Sequence, residues 1–260
     1  NVAASAAAIL APLALGATDA IGLTWRGALL VSLPALAAVG AVFGKIEFPS
    51  PTSHEHDRRA ADGLPKAFWL LFVVMFLAGS IEWCVGYWGA DFLSSVAGLR
   101  ERSAATAMSL YFLAMVAGRF AGSRLTRRIA APRLLVGALA IALTGFPFLW
   151  LGRMPPLNLV GLFIVGLGIA NLYPLIVGAA TELAGPRAEQ AAARLSISGA
   201  ASLLVMPFIV GALSDQLGMK RGFSLIGALA VLGLGLMIAT ARLMGSVNEA
   251  PRSPVAEPGA

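Results

Sequence analysis

Long apolar runs separated by short polar breaks dominate this chain. At about 20 apolar residues per helical crossing of a bilayer core, the runs predict spans at 2 to 17, 25 to 44, 66 to 93, 104 to 123, 132 to 152, 156 to 181, 190 to 213 and 222 to 244. The first is short and is interrupted by Pro12. Alanine, leucine, glycine and valine fill the runs, and no stretch of about ten residues alternates apolar and polar positions, so helices are expected rather than a membrane barrel. The longest polar break, Lys45 to Pro65, carries Pro49, Pro51, His54, Glu55, His56, Asp57, Arg58, Arg59 and Asp62, the composition of a solvated linker. The predicted fold is therefore an all-α membrane protein, a helical bundle of about eight transmembrane helices. Residues 1–44 hold two spans, 45–65 the linker, 66–245 a compact six-helix bundle, and 246–260, with Pro251, Pro254 and Pro258, a disordered tail.

Composition narrows the solvent. Hydrophobic residues make up 58% and charged residues 12%, against about 45–50% and 25% in soluble domains. With a mean hydropathy of +0.82, apolar side chains outnumber the interior positions of one soluble core, and lipid must cover the rest. The net charge of +6 does not point to nucleic acid, because the arginines sit in short breaks between runs rather than along one basic face. Their distribution speaks instead to topology. If Asn1 starts inside, twelve Lys and Arg fall on the inner side and six on the outer, with Arg119 inside a span. The positive-inside rule then places both ends in the cytoplasm of a multi-pass inner-membrane protein. Cys84 is the single cysteine, which excludes an internal disulfide and a Cys-cluster metal site. The chain begins at Asn1 with no basic stretch before its first apolar run, so no signal peptide is expected, and a natural start lying further upstream is.

A few polar residues inside the apolar runs carry candidate chemistry. Glu82 is the only acid deep within one, and a carboxylate at membrane depth must be protonated, paired or facing water. Ala78, Gly79, Gly86 and Gly89 share its helical face, a nearly bare stripe that suits either a cavity or tight helix packing. Glu82 then reads as a substrate hydrogen-bond acceptor or proton carrier, or as a protonated acid bonded to a neighbouring helix. Trp83 and Tyr87 could face a sugar-like substrate or serve as headgroup anchors, while Trp88, near Asp91, is expected to be an anchor. Asn171, Tyr173 and Pro174 stand in mid-span, where the proline removes a backbone hydrogen bond and bends the helix, as at many transporter sites or merely to shape packing. Gly199, Ser202, Gly227, Ala230 and Gly233 are read as packing residues. The loop residues His54, Glu55, His56 and Asp57 are metal-ligand types, but four neighbours in a flexible loop make a poor closed site, and no metal or other cofactor is expected.

Gly118-Arg119-Phe120-Ala121-Gly122-Ser123-Arg124-Leu125-Thr126-Arg127-Arg128 resembles the second copy of the inner-loop signature of the major facilitator superfamily of secondary transporters. It departs from that signature at Thr126, where an acid commonly stands, and at Ile129-Ala130, in place of a glycine-bearing turn. Leu23-Thr24-Trp25-Arg26, and Gly166-Leu167-Gly168-Ile169-Ala170-Asn171-Leu172-Tyr173-Pro174, are similar to further segments, the latter to the tenth helix of fucose-permease-like members. The resemblance covers nearly the whole chain. It implies that residues 1–44 are the last two helices of the N-terminal half and 66–245 the C-terminal half. It also implies a conformational gate of Arg119, Arg124, Arg128 and Arg194 with Glu182, closing the inner side in the outward-open state.

The function expected is secondary active transport of a small solute by alternating access, as proton-coupled uptake of a sugar or similar polar metabolite. Substrate and proton would meet Glu82, Trp83, Tyr87, Asn171 and Tyr173. Efflux by an antiporter of the same superfamily is an alternative, although Ala11-Pro12-Leu13-Ala14-Leu15-Gly16 departs from the fifth-helix signature of drug exporters. An intramembrane enzyme is disfavoured: both histidines lie in the linker, and the acids Glu82 and Glu182 are far apart in sequence. A channel or structural membrane subunit would be separated from a transporter by concentrative uptake under an imposed proton gradient.

Overall fold

A computed structural model describes residues 63–152 and 154–249, side chains through Met244, and isolated positions between 30 and 41. Spans 1 and 2 fall largely outside the described residues, although Leu30, Leu33, Pro34, Ala37, Ala38, Gly40 and Ala41 are helical. The motif at Leu23 to Arg26, the His54 to Asp57 loop and the tail beyond Glu249 also lie outside them.

Among the described residues every regular element is helical. They are α1 (Lys66–Ser95), α2 (Glu101–Leu125), α3 (Ala131–Leu151), α4 (Pro155–Ile169), α5 (Leu172–Ala184), α6 (Ala188–Leu217) and α7 (Met219–Glu249). The bounds follow the apolar runs to within a few residues, with two differences. The predicted span at 156 to 181 is broken at Ala170 and Asn171 into α4 and α5, and α7 continues past Ser246 into the segment expected to be unstructured.

Five helical stretches are long and apolar enough to cross a membrane, the longest being 63 residues from Pro155 to Leu217. Straight, that stretch would reach about 95 Å, three times a bilayer core, so it must fold back. It does so at the 3-10 turn Gly185–Arg187, where Gly185 takes φ 55. That left-handed conformation is open to glycine at little cost and strained for other residues. The reversal lays α5 against α6. Arg187 Nη1 donates to the Gly63 carbonyl at 3.2 Å, tying the turn to the chain just before α1.

Central in the bundle, α1 packs against α2, α4, α5, α6 and α7, while α3 lies against α4, α5 and α7. Lipid gives helices no hydrophobic reason to associate, so close approach and polar bridges must hold them. The bridges named here join one helix's side chain to another's backbone. Ser198 Oγ donates to the Phe72 carbonyl at 2.8 Å, joining α6 to α1, and Ser202 packs onto Gly79 one turn further along. At the far end from the linker, Phe92 of α1 stacks on Phe223 of α7 at 4.3 Å, and Phe146 of α3 follows at 6.3 Å. Gly227 admits the Phe146 ring. Gly199 and Gly233, expected to be close-packed, have only ordinary contact distances of 3.7–3.8 Å where a Cβ would sit.

Trp88 differs from expectation. It is half-buried, and its Nε1 donates to the Pro207 carbonyl of α6 at 2.7 Å, with Gly211 leaving room for the ring. It is a bridge between helices rather than a headgroup anchor, because the α6 backbone offers an acceptor within reach. Trp88→Phe removes both the bond, worth about 1 kcal/mol, and ring atoms that pack on Gly211, and is expected to lower stability by more than that bond alone; the thermal midpoint of the detergent-solubilised chain would show it.

Candidate functional site: the bend between α4 and α5

Pro174 has no N–H, so the carbonyl of Ala170, four residues earlier, loses its helical donor. In a membrane interior such an orphan needs a replacement. Arg119 of α2 supplies it, its Nε donating to the Ala170 carbonyl at 3.2 Å. One residue on, Asn171 leaves helical geometry (φ −110, ψ 1), and its Nδ2 donates back to the Gly118 carbonyl of α2 at 2.6 Å. The two bonds run in opposite directions across the same helix pair. Gly118 and Gly122 make them reachable: a Cβ at 118 would lie 2.6 Å from Ala170 Cβ, and one at 122 would overlap the Asn171 amide. The glycine pair, the arginine and the bent segment thus form one joint between α2 and the α4–α5 bend.

Glu82 sits half-buried on α1. The charge of Arg119 acts on it, and buried Tyr111 of α2 lies within electrostatic range of both. The Tyr111 hydroxyl donates a long 3.3 Å bond to the Glu82 backbone carbonyl. The bare stripe beside Glu82 is close-packed at two of its glycines and open at a third. Gly79 and Gly89 are pressed against Ser202 and Met108, whereas nothing stands within 4 Å of where a Gly86 Cβ would be. Trp83 is 38% exposed, Tyr87 60% and Tyr173 45%. Arg119 and Asn171 thus meet at the joint between α2 and the bend, with the Arg119 charge acting on Glu82 of α1, while the three aromatic side chains are exposed.

The other gate residues are not gathered. Glu182, Arg124 and Arg128 are exposed, and among the described residues no hydrogen bond or ion pair joins Glu182 to Arg124, Arg128 or Arg194. Arg194 instead lies over the Trp69 ring at 5.3 Å. The inner-side lock is thus not made in this conformation: solvated charges gain little from pairing, and the indole face offers Arg194 a partner. Arg119, assigned to that gate from sequence, belongs to the joint at the bend.

Sequence reasoning did not single out Tyr111 or Asn158. The position of Pro174 does mark the orphan carbonyl at 170, but nothing local names its donor. Asn158 is fully buried, and its Nδ2 donates to the Leu149 carbonyl at 2.6 Å and to the Gly152 carbonyl at 3.4 Å, holding α4 to the end of α3.

The sequence profile described as Major Facilitator Superfamily matches residues 1–195. The chain belongs to that superfamily. Among its curated relatives are an uncharacterized MFS-type transporter of Yersinia pestis, 25% identical over 62% of this chain and 42% of that protein, and the membrane protein MosC of Rhizobium meliloti, 26% identical over 73% and 45%. An uncharacterized transporter of Sinorhizobium fredii is 29% identical over 61% of this chain and 44% of its own length. The chain thus spans less than half the length of the curated relatives it matches. A major-facilitator chain is a multi-pass membrane protein of a transporter family rather than an enzyme family. Its members sit in the bilayer and bind small molecules. The fucose-permease-like branch is not distinguished by these relatives.

Proposed function

We propose that this chain forms part of a secondary active transporter that takes up a small polar solute, a sugar or similar metabolite, together with a proton by alternating access. The observation that carries the reading is Glu82, a half-buried acid at mid-span with the Arg119 charge in range, on the helix that also carries the exposed Trp83 and Tyr87. An unpaired carboxylate at the bilayer centre costs about 3 kcal/mol on insertion scales, so an acid kept there has a partner or a task. The bend at Asn171 and Pro174 supports the same reading, since interrupted helices border transporter sites at the midplane. Arg119 links the two, because its guanidinium holds the bend's free carbonyl while its charge acts on Glu82. Binding of a proton or solute at Glu82 would alter the field at Arg119 and so bias the bend.

The test is accumulation of labelled monosaccharides in vesicles containing the complete transporter under an imposed proton gradient. Wild type is expected to concentrate a substrate of this class. Glu82→Gln, uncharged at any pH, is expected to abolish concentration while leaving solute exchange partly intact. Accumulation by Glu82→Gln with unchanged pH dependence removes Glu82 from the proton path, and extrusion rather than uptake assigns the chain to an antiporter.

A further inference from the structure

At the end of the bundle away from the linker, an open cavity of about 550 Å³ lies where α1 and α6 finish and α7 begins. Its wall includes Ser95, Trp150, Leu217, Met219, Lys220 and Arg221. Four spanning helices have their ends here, which sets the cavity at the boundary between hydrocarbon and headgroups. The wall holds two cations and no acid; Asp91 and Asp215, the acids nearest in sequence, are not part of it. Among the described residues neither Lys220 nor Arg221 has an ion-pair partner.

Local structure places both cations at the start of α7 and holds Lys220 against Trp150. Gly218, at φ 87, turns the chain between α6 and α7, so Lys220 and Arg221 fall in the first turn of α7, where the positive end of the helix dipole adds to their charge. Trp150 Nε1 donates to the Lys220 carbonyl at 2.7 Å, and the Lys220 ammonium lies 5.6 Å from the centre of the same ring. The indole in turn stacks on Phe146 at 6.4 Å. The cavity therefore has a cationic rim on a fixed aromatic wall, with Leu217 and Met219 as apolar surface beside it.

The geometry points to a binding site for an anionic phospholipid, with the lipid phosphate against Lys220 and Arg221 and an acyl chain leaving over the apolar wall. A phosphodiester of net negative charge complements the rim, whereas the ammonium of a zwitterionic ethanolamine headgroup would meet two like charges. Free phosphate would satisfy the cations but leave the apolar wall unused. The site is separate from the bend and does not depend on what the transporter carries.

Retention of phosphatidylglycerol and of phosphatidylethanolamine by the detergent-solubilised full chain, read by native mass spectrometry, tests this. Wild type is expected to keep phosphatidylglycerol in preference. Lys220→Gln with Arg221→Gln should weaken that retention on the order of tenfold. Arg127→Gln with Arg128→Gln removes two charges at the opposite end and should leave it unchanged. Trp150→Phe, which keeps both cations, should weaken it less than the double substitution does. Equal retention of the two lipids by wild type overturns the proposal without any variant. Equal loss in the two charge pairs reduces it to general attraction, and displacement of phosphatidylglycerol by millimolar inorganic phosphate makes the site one for free anions; either result also overturns it.

Discussion

Gly161→Ala is expected to cost more stability than any other single methyl group added to this bundle. A Cβ at 161 on α4 would overlap the Leu149 backbone nitrogen and lie 2.7 Å from Leu149 Cα and 2.7 Å from the Phe148 carbonyl carbon of α3. These are main-chain atoms, which cannot turn aside as the end of a side chain can. Gly168, two turns further along α4, meets the backbone of Ala138 and Ala142 in the same way, and Gly145 of α3 meets Val165 N at 2.8 Å. The α3–α4 pair is therefore held by backbone contact through glycine on both helices. Overpacking a close-fitting core costs about 1–3 kcal/mol, occasionally more, and Gly161→Ala should fall at or above the top of that range. Gly137→Ala is the control. Gly137 lies in α3 with nothing within 4 Å of its missing Cβ, so alanine there should be neutral or stabilising by up to about 1 kcal/mol through backbone entropy. Thermal unfolding midpoints should move in opposite directions, and a Gly161→Ala midpoint equal to wild type would contradict the close approach.

Arg119→Leu is expected to destabilise the chain and to disable transport together, and Pro174→Ala should lessen the first effect. With Arg119 gone, the Ala170 carbonyl has neither its helical donor nor its substitute, a buried orphan costing about 1–3 kcal/mol. Pro174→Ala restores an N–H four residues on, so the carbonyl no longer depends on α2. In a double-mutant cycle, Arg119→Leu should then cost at least about 1 kcal/mol less in the Pro174→Ala background than in wild type. Additive effects would mean that the 3.2 Å bond does not hold the bend. Uptake should not be rescued in parallel, because the charge acting on Glu82 is still missing. A change of about 1.4 kcal/mol between two conformations alters their ratio tenfold, so a loss of uptake of at least that size is the expected reading in vesicles. Arg119→Lys keeps the charge but not the fixed geometry of the guanidinium, and should retain charge-dependent uptake better than it retains stability.

The contrast between the two glycine sites shows how much was legible beforehand. The pair at 118 and 122 stands out in sequence because its one-turn spacing beside arginines is a recognisable pattern. Gly145 stands between Thr144 and Phe146 and Gly161 between Val160 and Leu162, and neither setting says that it needs glycine more than Gly137 does. Which glycine is indispensable depends on the helix opposite, whose rotation and depth no local spacing records. Similarly, the proline at 174 announces a freed carbonyl, and the lone acid at 82 announces an environment able to tolerate it. The residue serving both, Arg119, reads from sequence as a cation inside a span that the family resemblance groups with the gate.

The sequence by itself determined the solvent, the helical class, the approximate bounds of each described span and the superfamily, because each follows from the transfer of side chains and backbone into lipid or from a contiguous motif. Only the tertiary structure decided that Arg119 holds the carbonyl freed at the Pro174 bend, that Trp88 bridges α1 to α6, and that Arg194 faces Trp69 while Glu182 stands apart. Those outcomes turn on which backbone carbonyl or ring lies within hydrogen-bonding or stacking distance of a side chain. Within an apolar bundle any uncovered carbonyl is a partner for the donor that packing brings to it, so the pairings are set by how the helices meet and not by their order along the chain.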